Sequence, residues 1–456
     1  MREYELKIDE AFEKGLNPLT RSFDGAPYFD ECYWFRLANG GLEMFKPFKS
    51  PFLVNFNIVK AWPFPQVIQG EKYTLLFNKN EDITEVYIVD EESTTLISNT
   101  IPHSELFEVA DFGLYAIATN GQRYLHLDVG PPITWEVFTT TTAIPLVRTL
   151  INYNGQPVGG GVLSNWYNCD ETFYIWGKIG EMDFTPDRRN EAGYRRCPYG
   201  GEVMNVRQLG NNIVGYSTKG ITLMYPSESP IPTFGFKHMS DVGIINKGAV
   251  DGSKFKHVYV GSDYVLRLVT SEGIQELGYS IYMKRLEGQI LVIHDKEKDD
   301  FYIGDGNHCF LLTSKGMTEV PQNFSALWRF GGEMVAIPDD IEGADGYIIS
   351  ATHDMGYRGQ KTVFTIECDA TRVEDLRASV DYSNALNDVN SSTLKPVNNQ
   401  GIASVIASGN QFRFKLRLNP LYTDTKISYL KARYKMTDLR GIRGVYAPPL
   451  RGQGDR

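Results

Sequence analysis

The sequence predicts an all-β protein, a β-propeller whose blades are sheets of short antiparallel strands, with an additional β-rich platform module. Three observations carry that expectation. Short runs rich in Val, Ile, Tyr, Phe and Trp are broken by Gly, Asn and Ser/Thr-Lys-Gly turns, most clearly between Gly161 and Pro226, which is the pattern of strands joined by hairpins. Tyr (26), Phe (25) and Gly (43) are all abundant, a mixture that suits strands and turns better than helical bundles. Three related turns, Thr218-Lys219-Gly220, Ser271-Glu272-Gly273 and Ser314-Lys315-Gly316, recur at intervals of 53 residues (220 to 273) and 43 residues (273 to 316). That interval is what four-stranded blades produce, and a blade with apolar residues on both faces is stable only against its neighbours. A β-sandwich is the alternative that so loose a spacing leaves open.

The elements follow in order. Residues 1–14 suit a short strand and a helical turn. Gly15 to Phe48 is turn-rich, with Asn39-Gly40-Gly41 a hairpin signal between Cys32–Leu37 and Leu42–Phe45. Strand-like runs follow at Phe52–Trp62, Tyr73–Asn78, Glu85–Asp90, Thr94–Ser98, Leu106–Ala110, Leu114–Thr119 and Tyr124–Asp128. The glycine-rich Gly155 to Gly161 reads as a flexible turn, because no Lys-Ser/Thr and no helix follow it as a phosphate loop would need. The strand cadence resumes from Val203 to Thr352. Beyond Gly359, Lys361–Asp369, Arg377–Tyr382, Phe412–Leu418 and Lys426–Lys435 alternate apolar with charged residues, burying one face and keeping a basic face wet, around a polar loop from Ser383 to Gly401. The expected division is an extended arm and hairpin at 1–50, a propeller at 51–358, the platform module at 359–437 and a basic, unpacked tail at 438–456 that holds Arg440, Arg443, Arg451 and Arg456.

Composition bounds the function. With 456 residues and 42% hydrophobic content the chain can bury a large core. Its net charge of −10 argues against a chain that grips nucleic acid, yet suits a wall along which nucleic acid slides without sticking. Cys32, Cys169, Cys197, Cys309 and Cys368 are scattered, with no metal-site spacing, and read as reduced, buried thiols. The acidic N-terminal residues lack the apolar core of a signal peptide, and no stretch has the apolar length of a membrane-spanning helix.

The best candidate for a site is the loop Asp183 to Tyr194, which holds Asp183, Pro186, Asp187, Arg188, Arg189 and Glu191, with Arg195 just beyond. Carboxylates so grouped suit glycoside hydrolysis. The favoured reading is instead a solvated or interfacial loop whose acids pair with Arg188, Arg189, Arg195 and Arg196. The seven histidines sit singly, without HxH or HExxH spacing, and no GxSxG elbow occurs. Asp251-Gly252-Ser253 and Asp305-Gly306-Asn307 read as simple turns, not calcium loops. No cofactor, metal or catalytic residue is expected. Trp62, Phe64, Trp135, Trp166 and Trp328 are candidate anchors for contacts between subunits, although a core position is the commoner fate of each.

The segment Asp183-Phe184-Thr185-Pro186-Asp187-Arg188, Asn190 to Tyr194 and the run from Gly200 to Ile221 resembles the blades of tail hub or nozzle proteins of short-tailed bacteriophages. The text from Gly15-Leu16-Asn17-Pro18 through Arg36 to Gly41-Leu42-Glu43 is similar to the start of those proteins. The resemblance implies a virion protein made in the host cytoplasm: a propeller with a platform built from other parts of the chain. It would be repeated as a ring, expected as a hexamer, below the portal and head-to-tail adaptor. The ring would conduct genomic DNA without sequence-specific binding and carry a fibre, needle or spike. A carbohydrate-active propeller using the acids near Asp183 to Glu191, and a receptor- or glycan-binding propeller, stay open as alternatives.

Overall fold

The computed structural model describes residues 3–19, 23–49, 57–68, 71–90, 93–130, 132–227, 233–330, 332–337, 345–357, 359–384, 388–419 and 424–437. Arg440, Arg443, Arg451 and the rest of the expected tail lie outside them. The chain forms two compact units, one of Pro47–Phe310 with Gln322–Ile341, the other of Met1–Lys46, Leu311–Pro321 and Glu342–Arg456.

The larger unit is a β-propeller. Val203–Leu209, Asn212–Ser217, Gly220–Ser227 and Thr233–Ser240 pair antiparallel in chain order. The Ser-Thr-Lys-Gly turn within this sheet is fixed by the Ser217 hydroxyl, which donates to the Gly220 carbonyl (2.8 Å) and accepts from the Gly220 N–H (3.1 Å). Four other sheets repeat the meander. They are Ile58–Ile68, Glu71–Asn80, Ile83–Val89 and Thr94–Pro102; Glu108–Asp111, Tyr115–Thr119, Tyr124–Asp128 and Thr134–Phe138; Val147–Tyr153, Gln156–Val162, Phe173–Trp176 and Gly193–Arg196; and Val250–Ser253, Lys256–Val260, Leu266–Thr270 and Gly273–Gly278. A sixth begins with Leu291–Asp295, Asp300–Gly304 and Cys309–Leu312, and the hairpin Ala326–Phe330 with Glu333–Ile337 is the seventh. First strands of successive sheets lie side by side from the second sheet to the hairpin, and the hairpin's first strand lies against Ile58–Ile68. One apolar cluster joins the first and second sheets through Phe77, Phe107 and Leu125, and another joins the first to the hairpin through Ile58, Trp328 and Val335. The ring of blades is therefore closed.

A fully buried tyrosine recurs in five successive blades, as Tyr124, Tyr174, Tyr216, Tyr259 and Tyr302. Tyr216 also links the fourth blade to the fifth. Its hydroxyl donates to His257 Nδ1 (2.8 Å) while His257 Nε2 donates to the Gln208 carbonyl (2.9 Å), an arrangement that needs the neutral ring. Burial pushes the His257 pKa down to about 4. A base depressed from about 6.5 contributes stability that is present at neutral pH and lost as pH falls from about 6.5 towards 4. His257 should therefore account for about 2 kcal/mol of destabilisation between pH 7.5 and pH 5. Urea unfolding at both pH values should show His257→Gln losing that part of the slope, and an unchanged slope would refute the assignment.

The structure corrects several expectations. Gly155 to Gly161 is no flexible turn: Gln156–Val162 is a strand buried at every position. Glycine is there because the neighbours are close. A Cβ on Gly160 would lie 2.4 Å from Val203 Cγ1, and one on Gly159 would lie 2.9 Å from the Thr149 carbonyl oxygen. The three related turns are not equivalent. The turn at Lys219 joins second and third strands, whereas those at Glu272 and Lys315 follow third strands. Within Ser383 to Gly401 two short strands occur, Val389–Ser391 and Lys395–Pro396, both paired to Arg377–Ser383.

The smaller unit is also β. Glu3–Ile8, Phe35–Ala38, Gly41–Met44, Lys361–Ala370, Ile402–Gly409 and Lys426–Met436 form one sheet, and Phe29–Tyr33, Gly346–Ser350, Arg377–Ser383 and Gln411–Leu418 belong to another. Residues 1–46, read from sequence as an arm and hairpin, are thus paired with C-terminal strands: Glu3–Ile8 runs antiparallel to Lys426–Met436. The basic faces expected to be wet are matched by acids across the register. Lys435 pairs with Glu3 (3.0 Å), Arg433 with Glu5 (3.4 Å), Lys431 with Glu367 (3.2 Å) and Lys415 with Asp381 (2.6 Å). No helix among the described residues is long and apolar enough to cross a membrane.

Candidate functional site

Each of the seven first strands of the propeller carries a charged side chain. These are Lys60, Glu108, Arg148, Arg207, Asp251, Asp295 and Arg329. Lys60, Glu108, Arg207, Asp251, Asp295 and Arg329, joined by Trp62, His294, Lys296, Glu297 and Trp328, line a cavity of about 520 Å³. Charges brought together in so little water are costly unless they neutralise one another.

The pairing runs between blades. Arg207 reaches Asp251 (3.2 Å) and Glu108 (3.7 Å). Arg329 holds both oxygens of Asp295 (2.7 Å each) and also Glu297 (2.8 Å). Arg148 holds Glu105 (2.8 Å), Glu171 (2.7 Å) and Glu202 (3.3 Å). Burial pushes the carboxyls of Glu108 and Asp251 up, but Lys60 and Arg207 outweigh it and leave both below the usual range. Burial also lowers the Lys247 ammonium, to about 8. That ammonium donates to the carbonyls of Leu106 (2.5 Å) and Arg148 (2.6 Å). Chemically the set is a brace. Each of its acids is claimed by an arginine.

Sequence reasoning missed this cluster and read Asp251 as part of a turn. It lies in the strand Val250–Ser253. One signal was present in three of the blades, a single charge inside largely apolar text (IVKAW, VRTLINY, ALWRF).

The loop singled out from sequence joins the third and fourth strands of the third blade. Phe184 is fully buried beneath it. Asp183 pairs with Lys178 (2.5 Å), not with an arginine; burial pushes its carboxyl up, and the Lys178 and Thr185 hydrogen bonds bring it below the usual range. Asn190 ties the loop: its carbonyl accepts from the N–H groups of Asp187 and Ala192 (both 3.1 Å) and its amide donates to the Thr185 carbonyl (3.0 Å). Pro186 lies half-buried within this knot. Among the described residues Asp187, Arg188, Arg189 and Glu191 make no ion pair. Arg195 instead covers the Phe236 ring at 4.6 Å. The expected acid–arginine pairing within the loop is therefore corrected. Of the aromatic anchors, Phe64, Trp166 and Trp328 are buried, Trp62 packs on the first core, and Trp135 is 44% exposed. All five cysteines are buried, and none of them forms a disulfide. Asp305 closes a simple turn, accepting from Asn307 and His308 N–H groups (2.8 Å each).

No protein-family model matches the chain, and no curated protein matches it in sequence. Among solved structures it is similar to Hsv2 of Kluyveromyces lactis, with 11% identity and a TM-score of 0.33 over 54% of this chain and 82% of that one. A form of the K. lactis protein with loop 6CD replaced by a Gly-Ser linker matches at 11% identity and 0.35 over 56% and 82%. Hsv2 of Kluyvelomyces marxianus matches at 10% and 0.34 over 58% and 84%. At these scores the likeness carries no argument about what the chain does.

Proposed function

We propose that the chain is a structural protein of a short-tailed bacteriophage tail, a nozzle or hub subunit that acts through shape and not through chemistry. The observation that carries this reading is the reciprocal pairing of the axial charges. Groups that a reactive site would hold free for a substrate are used to tie blade to blade. The resemblance of Asp183 to Ile221 and of the Gly15 to Glu43 text to such proteins supports it. So does the construction of the second β unit from three separate segments of the chain, as a platform built from other parts of the chain requires.

In this reading the conduit for DNA forms between subunits. A cavity of about 520 Å³ crossed by ion pairs leaves no passage for a duplex. Subunits close into a ring, a hexamer, below the adaptor, and the net charge of −10 keeps the passing polyanion from sticking. Native mass spectrometry of the purified chain, alone and with the adaptor of the same virion, tests the reading. A closed ring, alone or on the adaptor, is the expected result. A monomer under both conditions would sink it.

A further inference from the structure

We propose that the outer edge of the third blade binds the pyranose rings of a polysaccharide, with Tyr167 and Tyr194 as its floor and Arg196, Asp170 and Thr172 as its polar rim. Tyr194 lies on the edge strand Gly193–Arg196 opposite Ile175. Alternation along that strand sends Tyr194 and Arg196 to one side and Arg195 to the other, where it covers Phe236. Tyr167 is a central residue of the turn that closes between Trp166 and Cys169. Both central residues have positive φ, +46° at Tyr167 and +56° at Asn168. Asn suits such a turn, whereas a tyrosine there is strained by about 1–2 kcal/mol. The strain holds an aromatic ring outward where a small polar residue would fold more easily.

The two rings form a fixed surface. Tyr167 is 50% and Tyr194 39% exposed. Their centroids are 6.0 Å apart with planes tilted by 34°. The buried Trp166 supports both edge-on, at 4.7 Å and 5.7 Å, and Phe173 adds a contact to Tyr194 at 6.2 Å. Neither phenol hydroxyl has a hydrogen-bond partner among the described residues. Beside the rings, Arg196 Nε donates to Thr172 Oγ1 (3.0 Å) and its guanidinium lies 3.9 Å from Asp170, whose carboxylate accepts from the Thr172 N–H (2.8 Å).

This combination fits a sugar. A pyranose offers an apolar C–H face, which the rings take, and equatorial hydroxyls, which both donate to Asp170 and accept from Arg196 and the phenols. Arg196 and Asp170 offset one another, so the rim selects no net charge. Asp187, Arg188, Arg189 and Glu191, unpaired in the loop that leads into Tyr194, supply further hydrogen-bonding groups. The site does not depend on the tail reading.

The test is a printed array of neutral and uronic-acid oligosaccharides probed with the full chain and three variants. Wild type is expected to bind at least one pyranose oligomer, and Tyr194→Ala to lower that binding roughly tenfold. Tyr167→Asn relieves the positive-φ strain, so it should raise the thermal midpoint while weakening binding, which separates loss of the site from loss of the fold. Trp135→Ala, an exposed aromatic on the second blade, should bind as wild type does. The proposal is overturned if wild type binds nothing on the array, or if Tyr167→Asn and Tyr194→Ala bind as wild type does. It is equally overturned if both substitutions change only the oligomeric mass, because the surface would then join copies of the chain.

Discussion

Gly161→Val is expected to destabilise the propeller by more than about 3 kcal/mol, a large fraction of an ordinary domain's stability. Two costs combine. Gly161 has φ +69°, a conformation that a β-branched residue adopts only with strain. A Cβ there would also lie 2.7 Å from the Val203 carbonyl oxygen and 2.9 Å from Arg148 Cβ. Neither neighbour can retreat. Val203 starts the first strand of the fourth blade, and Arg148 is held by three glutamates. Gly155 in the same segment is the control, since it has φ +86° but nothing within 4 Å of its Cβ. Gly155→Ala should therefore cost only about 1 kcal/mol, the backbone penalty alone. Urea unfolding of both variants decides the matter, and equal costs would show that blade packing does not act at Gly161.

That contrast explains what was legible in the sequence. Val203–Leu209, Tyr124–Asp128 and Met317–Val320 could be read because turns bound them and their apolar residues fall at strand spacing. Gln156–Val162 could not, because its glycines answer to contacts with Arg148 and Val203, which local text does not contain. Ala326–Phe330 and Ile402–Gly409 were also missed, although the turn text Gly331-Gly332 and Gly409-Asn410 closes them. The blade interval was read from turns that prove non-equivalent, yet it came out near the truth. First strands are 35 residues apart at the least (291 to 326) and 56 at the most (147 to 203), so almost any recurring turn samples the same range. The axial cluster escaped because its members are scattered along the chain and only ring closure brings them together. Tyr167 was visible as an aromatic, but its exposure follows from a positive φ that no local signal announced.

Arg207→Met should cost about 3–5 kcal/mol, the usual consequence of removing one partner from a buried ion cluster. Glu108 and Asp251 would lose the guanidinium between them, and their side chains are only 9% and 25% exposed. Lys60 would remain as a cation near both, which should keep the loss towards the lower end of that range. The decisive comparison is the triple variant Arg207→Met, Glu108→Gln, Asp251→Asn, which removes the charges together. If the penalty belongs to stranded carboxylates, the triple variant should recover most of the stability lost by the single one. If it belongs to the shape of the arginine in the fourth blade, the triple variant should be no better. Recovery with ring assembly intact would identify the axial charges as a brace that specifies which blades meet. Recovery of the fold with loss of the ring would instead tie the axial charges to assembly, and the proposed division between a braced axis and an intersubunit conduit would have to be abandoned.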